Sequence, residues 1–185
     1  MKTMVIPRDR ATFRMDGNGV WHGETGRFRK KSIIDHFNAA LGHDADGFFV
    51  SQINGEVREK VYFPCEETAF FAVDIEKDGT GKGGSSDLRV VLNTGETVPV
   101  TPENLRHRGD ALFLFRGRIP VKFTDRCLLR IADRLTETPD GGYGFRLDGR
   151  AHPVPEWPVP ESKDAPESPD AKPWGGRPKF GREPL

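Results

Sequence analysis

The sequence contains a pattern that occurs twice, and this repetition constrains the fold more than any other feature. The first copy covers residues 26–55 and the second covers residues 117–149. Each copy reads as a strand, a helix, an Asp-Gly turn, a second strand and an Asx-Gly turn. The two turns are 8 positions apart in both copies, at Asp46 and Asn54 and again at Asp140 and Asp148. The repetition therefore predicts that one small supersecondary unit was duplicated.

The duplication predicts an α+β fold made of two similar units, each with antiparallel strands and one helix. The first unit is predicted to span residues 10–77 and the second to span residues 86–153, with a glycine-rich connector at residues 78–86. A unit of fewer than about 70–80 residues rarely buries an adequate core alone. We therefore expect the two units to pack together as one body.

Local patterns place the helices and turns. Ser32 and Thr124 are the predicted N-caps of two helices, and Gly42 is the predicted end of the first. Asn54-Gly55 predicts a two-residue hairpin turn, and residues 43–47 are expected to be a loop. The apolar positions expected to face the core are Ile33, Ile34, Phe37, Ala40 and Leu41 in the first helix and Leu128, Ile131, Ala132 and Leu135 in the second. The predicted strands are residues 10–15, 20–22, 48–53, 57–63, 69–77, 88–93, 96–100, 111–115 and 142–147.

The C-terminal segment differs in composition from the rest of the chain. Nine of the 33 residues from Pro153 to Leu185 are proline, and no apolar periodicity continues there. Such a segment buries too little apolar area to offset the loss of conformational entropy on folding. Residues 154–185 are therefore predicted to be a disordered, proline-rich tail, of which residues 155–160 could pack on the body. Its aromatic residues, Trp157, Trp174 and Phe180, are candidate docking points for a protein partner.

Charge and cysteine content exclude several classes of protein. The 28 basic residues balance the 28 acidic residues, so no long-range field favours nucleic acid, and no nucleic-acid partner is expected. No apolar stretch approaches the ~20 residues needed to span a bilayer, and residues 1–9 lack the apolar run of a signal peptide. Cys65 and Cys127 have no partner motif, which favours a reducing compartment over the alternative of a disulfide. These features predict a cytoplasmic protein.

Motifs for cofactors and metals are incomplete. Residues 79–86 resemble a phosphate-binding loop, but Glu76 occupies the place of the leading glycine and Gly83 follows the Gly-Lys pair. Residues 44–47 resemble the start of a calcium loop, but they lack a third oxygen ligand and a following helix. The five histidines form no zinc-site spacing with one another or with the cysteines. We therefore expect no cofactor and no metal site, and the catalytic residues, if any, are unknown.

One surface site can be suggested from residue types. Trp21 and His22 are followed closely by Arg27, and tryptophan and arginine are common anchors of binding interfaces. The alternative is that Trp21 is a packing residue of the hairpin, because tryptophan is usually highly buried. An enzyme would instead place its site in the groove between the two units, with residues such as His22, Glu24 or His107.

Five short segments occur in an order that is typical of one family. They are Asp16–Trp21, Gly26–Lys30, Asp46–Phe49, Cys65–Phe70 and Leu92–Gly95. Over about residues 13–153 their order resembles that of the bacterial DUF1285 family, although Ala69 stands where the family has proline. The resemblance implies an α+β fold with repeated motifs and a regulatory or signalling role. It supplies no catalytic residues, because the family has no established activity.

Three functions are compatible with these observations. The first is a non-enzymatic binding or regulatory module for an unknown protein or small-molecule ligand, because a repeated scaffold without a catalytic constellation carries a tail suited to docking. The alternative is an enzyme of unknown chemistry with its site in the groove between the units. The third is a subunit that assembles through an exposed sheet edge.

Overall fold

The structure is a computed structural model that describes residues 2–76 and 88–157 of the chain. The described residues form sixteen β-strands and two α-helices, so the predicted α+β class is confirmed and the fold is rich in sheet. The strands are β1 (Lys2–Ile6), β2 (Phe13–Met15), β3 (Trp21–Gly23), β4 (Gly26–Arg27), β5 (Leu41–Asp44), β6 (Gly47–Asn54), β7 (Val57–Tyr62), β8 (Phe71–Glu76), β9 (Arg89–Leu92), β10 (Thr97–Pro99), β11 (Leu105–Arg108), β12 (Ala111–Arg116), β13 (Ile119–Phe123), β14 (Leu135–Glu137), β15 (Tyr143–Leu147) and β16 (Arg150–Pro153). The helices are α1 (Lys31–Ala39) and α2 (Asp125–Arg130).

The first large sheet contains four strands in the order β1-β7-β6-β5. Strand β6 is antiparallel to β5 and β7, whereas β1 is parallel to β7. The predicted turn lies one residue further along the chain, because Asn54 pairs with Val57 and the loop starts at Gly55. Gly55 has a φ of 62°, which glycine adopts without the steric cost that a Cβ atom would bring.

A small sheet of β2, β3 and β4 packs with α1 around a cluster of aromatic rings. The Phe37 ring lies 4.8 Å from that of Phe13 and 5.2 Å from that of Trp21, between ring centroids. Trp21 also contacts Phe63, directly after β7, at 4.8 Å. These edge-on and tilted contacts connect α1 and the small sheet to the four-stranded sheet.

The first helix ends earlier than the sequence predicts. Residue Gly42 is not its C-terminal cap but part of β5, and the predicted loop at residues 43–47 is reduced to a turn at residues 45–46 between β5 and β6. Glycine is needed at this position of β5 because a Cβ atom would collide with the Phe49 ring on β6. At the other end, Lys30 precedes the helix instead of Ser32, and no side chain caps it. Of the predicted core positions, Ile33 is 42% exposed, so it does not face the core.

The second large sheet contains six strands in the order β10-β9-β8-β13-β12-β11. Its β8 and β13 are parallel, and the other neighbours are antiparallel. Strand β8 belongs to the predicted first unit, but it pairs with β9 and β13 from the predicted second unit. The sheet therefore extends across the predicted boundary near residue 77. The two-unit repeat is not confirmed, although α1 followed by β5-β6-β7 and α2 followed by β14-β15-β16 have the same order of elements.

Helix α2 packs against β8. Its predicted cap is confirmed, because Thr124 Oγ1 accepts a hydrogen bond from the backbone N–H of Cys127 at 3.3 Å. Cys127 and Ile131 are fully buried, as the apolar pattern predicts. The helix ends at Arg130, however, so Leu135 does not lie on its face but begins β14.

Buried hydrophobic residues from both halves of the chain form one continuous core. Phe48 on β6 contacts Phe70, which precedes β8, with 5.4 Å between ring centroids. This contact lies where the four-stranded sheet meets the six-stranded sheet. The described chain therefore packs around one core.

The body extends four residues into the predicted tail. Val154 is 4% exposed, and the Trp157 ring lies 4.9 Å from Phe113 and 5.0 Å from Phe115. These two side chains have enough apolar surface to pack on the six-stranded sheet. The rest of the predicted tail, residues 158–185, and the glycine-rich connector lie outside the described residues.

Candidate functional site

The three residues predicted as a surface site lie in the small sheet. Trp21 is only 2% exposed, and its Nε1 donates a hydrogen bond to Asn38 Oδ1 at 2.9 Å. His22 on β3 pairs with Arg27 on β4; His22 is partly exposed and Arg27 is exposed. The structure therefore brings His22 and Arg27 together at the surface and places Trp21 in the core. A role for this pair in binding stays a prediction.

His22 already has a partner within its own hairpin. Asp16 accepts hydrogen bonds from the backbone N–H groups of Asn18 at 3.0 Å and Val20 at 2.9 Å, and its Oδ2 lies 2.7 Å from His22 Nε2. Burial alone would raise the pKa of Asp16, but these hydrogen bonds together hold it below its usual range. The network closes the turn between β2 and β3, which is a structural role.

The other residues suggested for an enzyme are separated from one another in the fold. Glu24 lies in the exposed turn between β3 and β4, whereas His107 lies on β11 of the six-stranded sheet. The His107 ring packs against Tyr143 at 4.5 Å, and its buried Nδ1 has no hydrogen-bond partner among the described residues. None of His22, Glu24 and His107 lines the groove described next.

A groove opens between the β5 edge of the four-stranded sheet and the six-stranded sheet. Its volume is about 490 Å³, which is within the range of small-molecule pockets. We call it the β5 groove. It is lined by Ala39, Leu41, His43, Phe70, Thr94, Glu96, Arg116 and Ile119.

The β5 groove combines an apolar floor with charged groups at its rim. Leu41, Phe70 and Ile119 supply the apolar surface. At the rim, the Arg116 guanidinium lies 2.8 Å from Glu96 Oε2 in an ion pair whose side chains are 38% and 55% exposed. The groove can therefore bind a ligand through burial of its apolar part and through pairing of a charged group.

Two polar side chains position Phe70 in the floor. Asn93 Nδ2 donates to the carbonyl of Ala69, and Asn93 Oδ1 accepts from the N–H of Phe71, both at 3.0 Å. Thr68 is buried, and its Oγ1 donates to the carbonyl of Pro120 at 2.6 Å and accepts from the N–H of Phe70 at 3.1 Å. The backbone on both sides of Phe70 is thus tied to neighbouring segments.

Strand β5 forms one wall of the groove and is the last strand of its sheet. Among the described residues it pairs with β6 and with no strand on its other side. The N–H of Ser51 donates to the carbonyl of Ala40 at 2.9 Å, which sets the alternation of the ladder. By that alternation, Gly42 bonds to β6, whereas the backbone N–H and C=O groups of Leu41 and His43 point away from it.

Strand β5 is fixed from the outer face of its sheet by a charged cluster. Lys60 on β7 donates a hydrogen bond to Asp44, and its Nζ lies 4.0 Å from the Phe49 ring centroid. The Tyr62 hydroxyl donates to Asp44 Oδ2 at 2.9 Å. The hydrogen bond from Lys60 is the main cause that lowers the pKa of Asp44 to about 2, against burial. The cluster ties β5 to β7 across β6.

Sequence reasoning missed this groove because it predicted β5 as the end of a helix and a loop. One local signal could have indicated the strand. Asp46-Gly47 stands before a predicted strand, and an Asp-Gly pair in that place is typical of a hairpin. Such a hairpin requires a partner strand before the turn, and Leu41–Asp44 is that partner.

Several simple properties of the described chain bear on function. Among residues 2–76 and 88–157, no group of three or more His, Cys, Asp or Glu side chains is arranged to hold a metal ion. Neither described helix has the length and apolar character needed to cross a lipid bilayer. Cys65 and Cys127 are both free thiols, and burial raises the pKa of each to about 11.

A solved structure shares this arrangement of sheets and helices. The crystal structure of a DUF1285 family protein from Silicibacter pomeroyi DSS-3 matches with a TM-score of 0.55 over 83% of this chain and 83% of that chain, at 17% sequence identity. The chain has the fold of a DUF1285 family protein. The resemblance predicted from the sequence motifs is thereby confirmed at the level of the fold.

A second DUF1285 structure, from Shewanella baltica OS155, matches with a TM-score of 0.47 at 18% identity, over 68% of this chain and 93% of that chain. No protein-family model matches the sequence, and no curated protein matches it. Function therefore has to be inferred from the residues of this chain.

Three of the DUF1285-like motif segments surround the β5 groove. Asp46–Phe49 contains the turn and the start of β6 next to β5. Cys65–Phe70 ends in the floor of the groove, and Leu92–Gly95 supplies Asn93 and Thr94. The other two segments build the small sheet and its connection to α1. Three of the five segments that carry the resemblance thus lie in or beside this groove.

Proposed function

We propose that this protein is a non-enzymatic binding module whose ligand occupies the β5 groove. The observation that carries the proposal is the groove itself, a space of about 490 Å³ with an apolar floor and a charged rim. This volume falls within the range of small-molecule sites, and the lining offers both apolar and charged groups for recognition. The polar contacts that hold Phe70 and β5 in place mean that the site is formed before a ligand binds.

The rim favours a ligand that has an apolar body and at least one charged group. Arg116 and Glu96 are paired with each other, but both side chains are substantially exposed. Exposed ion pairs contribute only about 0–1 kcal/mol, so a ligand can replace one partner at little cost. The apolar body would then cover Phe70 and Ile119.

An enzyme that uses the same groove is the alternative function. The observation that favours it is a contact between a hydroxyl and a carboxylate, since Thr94 Oγ1 lies 3.3 Å from Glu96 Oε2. That carboxylate is already paired with Arg116, and the His43 ring packs against Phe48 at 4.6 Å. Arg116 thus orients the carboxylate, but a carboxylate paired with a guanidinium is a weak general base for a hydroxyl, so binding is favoured over catalysis.

A regulatory or signalling role is part of the same proposal. It is supported by the resemblance of the five sequence segments to the DUF1285 family. The partner would be a protein or a small molecule, and we propose that it is met in the cytoplasm. We also propose that a protein partner docks on the part of the proline-rich tail that follows Trp157. Trp157 itself is not a docking point in this proposal, because its ring packs on the body.

The proposal can be tested with a variant that fills the groove. Ala39 is exposed at the end of α1 and lines the groove, so Ala39→Phe would occupy the space without changing the core. Ser32→Phe adds the same bulk to the exposed start of α1 and is the control. The probe is a library of small aromatic carboxylates and amines, and binding is followed by amide chemical shifts of the ¹⁵N-labelled protein.

We expect the shifts to gather at Leu41, Thr94 and Ile119. Ala39→Phe should weaken binding by about tenfold or more at an unchanged melting temperature, and Ser32→Phe should bind like the wild type. Shifts that gather at His22 and Arg27, or equal binding by both variants, would contradict the proposal. Turnover of a bound ester or amide that is lost in Thr94→Ala would support the enzyme instead.

A further inference from the structure

The wall of the groove formed by β5 is an open sheet edge. In the described part of the chain, β5 ends the four-stranded sheet, and nothing pairs with its outer side. Sheet edges of this kind are templates for a further strand, and proteins usually protect them with proline, a bulge or a covering loop. The four residues of β5 contain no proline, and their pairing with β6 is regular.

The groups that an added strand needs are in the correct positions. Leu41 and His43 direct their backbone N–H and C=O groups away from β6, and therefore towards the open side. The side chains of the same two residues line the groove. Backbone groups for pairing and a space for side chains are thus presented by the same two residues.

A strand placed beside β5 would have every second side chain in the groove. Neighbouring strands lie about 4.8 Å apart, and their side chains alternate between the two faces of the sheet. Leu41 and His43 share the inner face with Val50 and Phe48, their partners on β6. Side chains on the inner face of an added strand would therefore reach Phe70 and Ile119 in the apolar floor of the groove.

We propose that the ligand of the β5 groove is an extended peptide segment of a protein partner, which pairs with β5 as a fifth strand. This inference rests on the proposed binding function. The peptide has an apolar residue at an inward position, over Phe70. At the neighbouring inward position, two residues along the peptide, it has a charged residue that pairs with Arg116 or Glu96. An outward basic residue would lie beside Asp44, whose side chain is 35% exposed.

A second copy of this chain fits the edge less well than a peptide does. Only two residues of β5 point their backbone groups outward, so the edge offers about four backbone hydrogen bonds. A stable dimer usually buries about 1,200–2,000 Å², far more than a strand of four residues can contribute. A short peptide needs no such area, since its alternate side chains enter the groove.

The test uses the full-length protein and a displayed library of random peptides of about nine residues. The best binder is synthesised, and its affinity is measured for His43→Pro and His43→Ala. Both variants remove the imidazole, but only His43→Pro removes the outward N–H, which β6 does not use. We expect His43→Pro to bind at least about tenfold more weakly than His43→Ala, because the two variants differ in the outward N–H and both lack the imidazole.

A second measurement does not depend on the folding of a variant. Peptides with N-methyl groups at single positions are compared on the wild-type protein. Methylation at alternate positions should abolish binding, because every second peptide N–H faces β5, and methylation between them should be tolerated. Methylation effects without this alternation would overturn the inference.

The remaining outcomes separate the inference from the proposed function. Failure of the library to enrich any binder, or equal binding by His43→Pro and His43→Ala, would overturn the peptide inference. If small molecules still bind the groove and Ala39→Phe blocks their binding, the proposed binding function stands even though the peptide inference fails. A wild-type dimer that dissociates in His43→Pro would identify a second copy as the occupant and would also overturn the inference.

Discussion

At the scale of single residues, polar side chains fix the floor of the groove. Asn93 bonds to the backbone on both sides of Phe70, through the carbonyl of Ala69 and the N–H of Phe71. Both of these flanking residues are buried, so water cannot replace the amide. Asn93, in the short loop between β9 and β10, therefore stabilises the backbone of the candidate site.

We predict that Asn93→Ala lowers the free energy of unfolding by about 2 kcal/mol, because two buried backbone groups lose their partner. Urea unfolding followed by circular dichroism measures the change. Asn54→Ala is the control, since Asn54 is exposed beside the β6–β7 turn, and its effect should stay below about 0.5 kcal/mol. Equal effects of the two substitutions would show that Asn93 does not hold the floor.

A second residue-scale prediction concerns Asp44 and pH. The hydrogen bond from Lys60 lowers the pKa of Asp44 from 3.8 to about 2 in the folded chain. A lowered pKa means that the ionised carboxylate stabilises the fold above the unfolded value and that this contribution is lost as pH falls through the folded value. Asp44→Asn should therefore lower the urea midpoint at about pH 7, and the difference from the wild type should shrink between about pH 4 and pH 2.

The control for this prediction is Asp110→Asn, because the carboxylate of Asp110 accepts only a long hydrogen bond of 3.5 Å from Tyr143. Its urea midpoint should follow that of the wild type at each pH. A gap between Asp44→Asn and the wild type that stays constant down to about pH 2 would contradict the role given to the Asp44 carboxylate.

At the scale of elements, local patterns predicted the parts that depend on local contacts. The alternation in residues 48–53 and 57–63 predicted β6 and β7, and Thr124 predicted the start of α2. Strand β5 was missed because a glycine after an apolar helical pattern usually ends a helix. Here Gly42 serves a tertiary contact with Phe49, which the local sequence does not reveal.

The contact of Gly42 gives a prediction for β5. A methyl group at this position would meet the Phe49 ring, so Gly42→Ala should lower the free energy of unfolding by about 1–2 kcal/mol. The same substitution in a Phe49→Leu background should cost less, because the smaller side chain leaves room for the methyl group. A double-mutant cycle by urea unfolding measures the coupling. If Gly42→Ala lowered the free energy of unfolding equally in both backgrounds, contact with the Phe49 ring would not be the cause of the destabilisation.

At the scale of the whole molecule, the groove results from long-range pairing. Its residues Leu41, Phe70, Thr94 and Arg116 come from separate elements, and each has an ordinary local pattern. The six-stranded sheet combines β8 with strands that follow the glycine-rich connector, so the predicted unit boundaries do not coincide with the sheets. The sequence could indicate the fold class through its motifs, but no spacing in it indicates which segments meet across the groove.

The location of a bound ligand tests the central claim most directly. We suggest a crystal structure of the protein with the strongest binder from the small-molecule or peptide screen. We expect electron density in the β5 groove, in contact with Phe70 and within hydrogen-bonding distance of Arg116 or Glu96. Density beside His22 and Arg27 on the small sheet, with the groove empty, would contradict the claim.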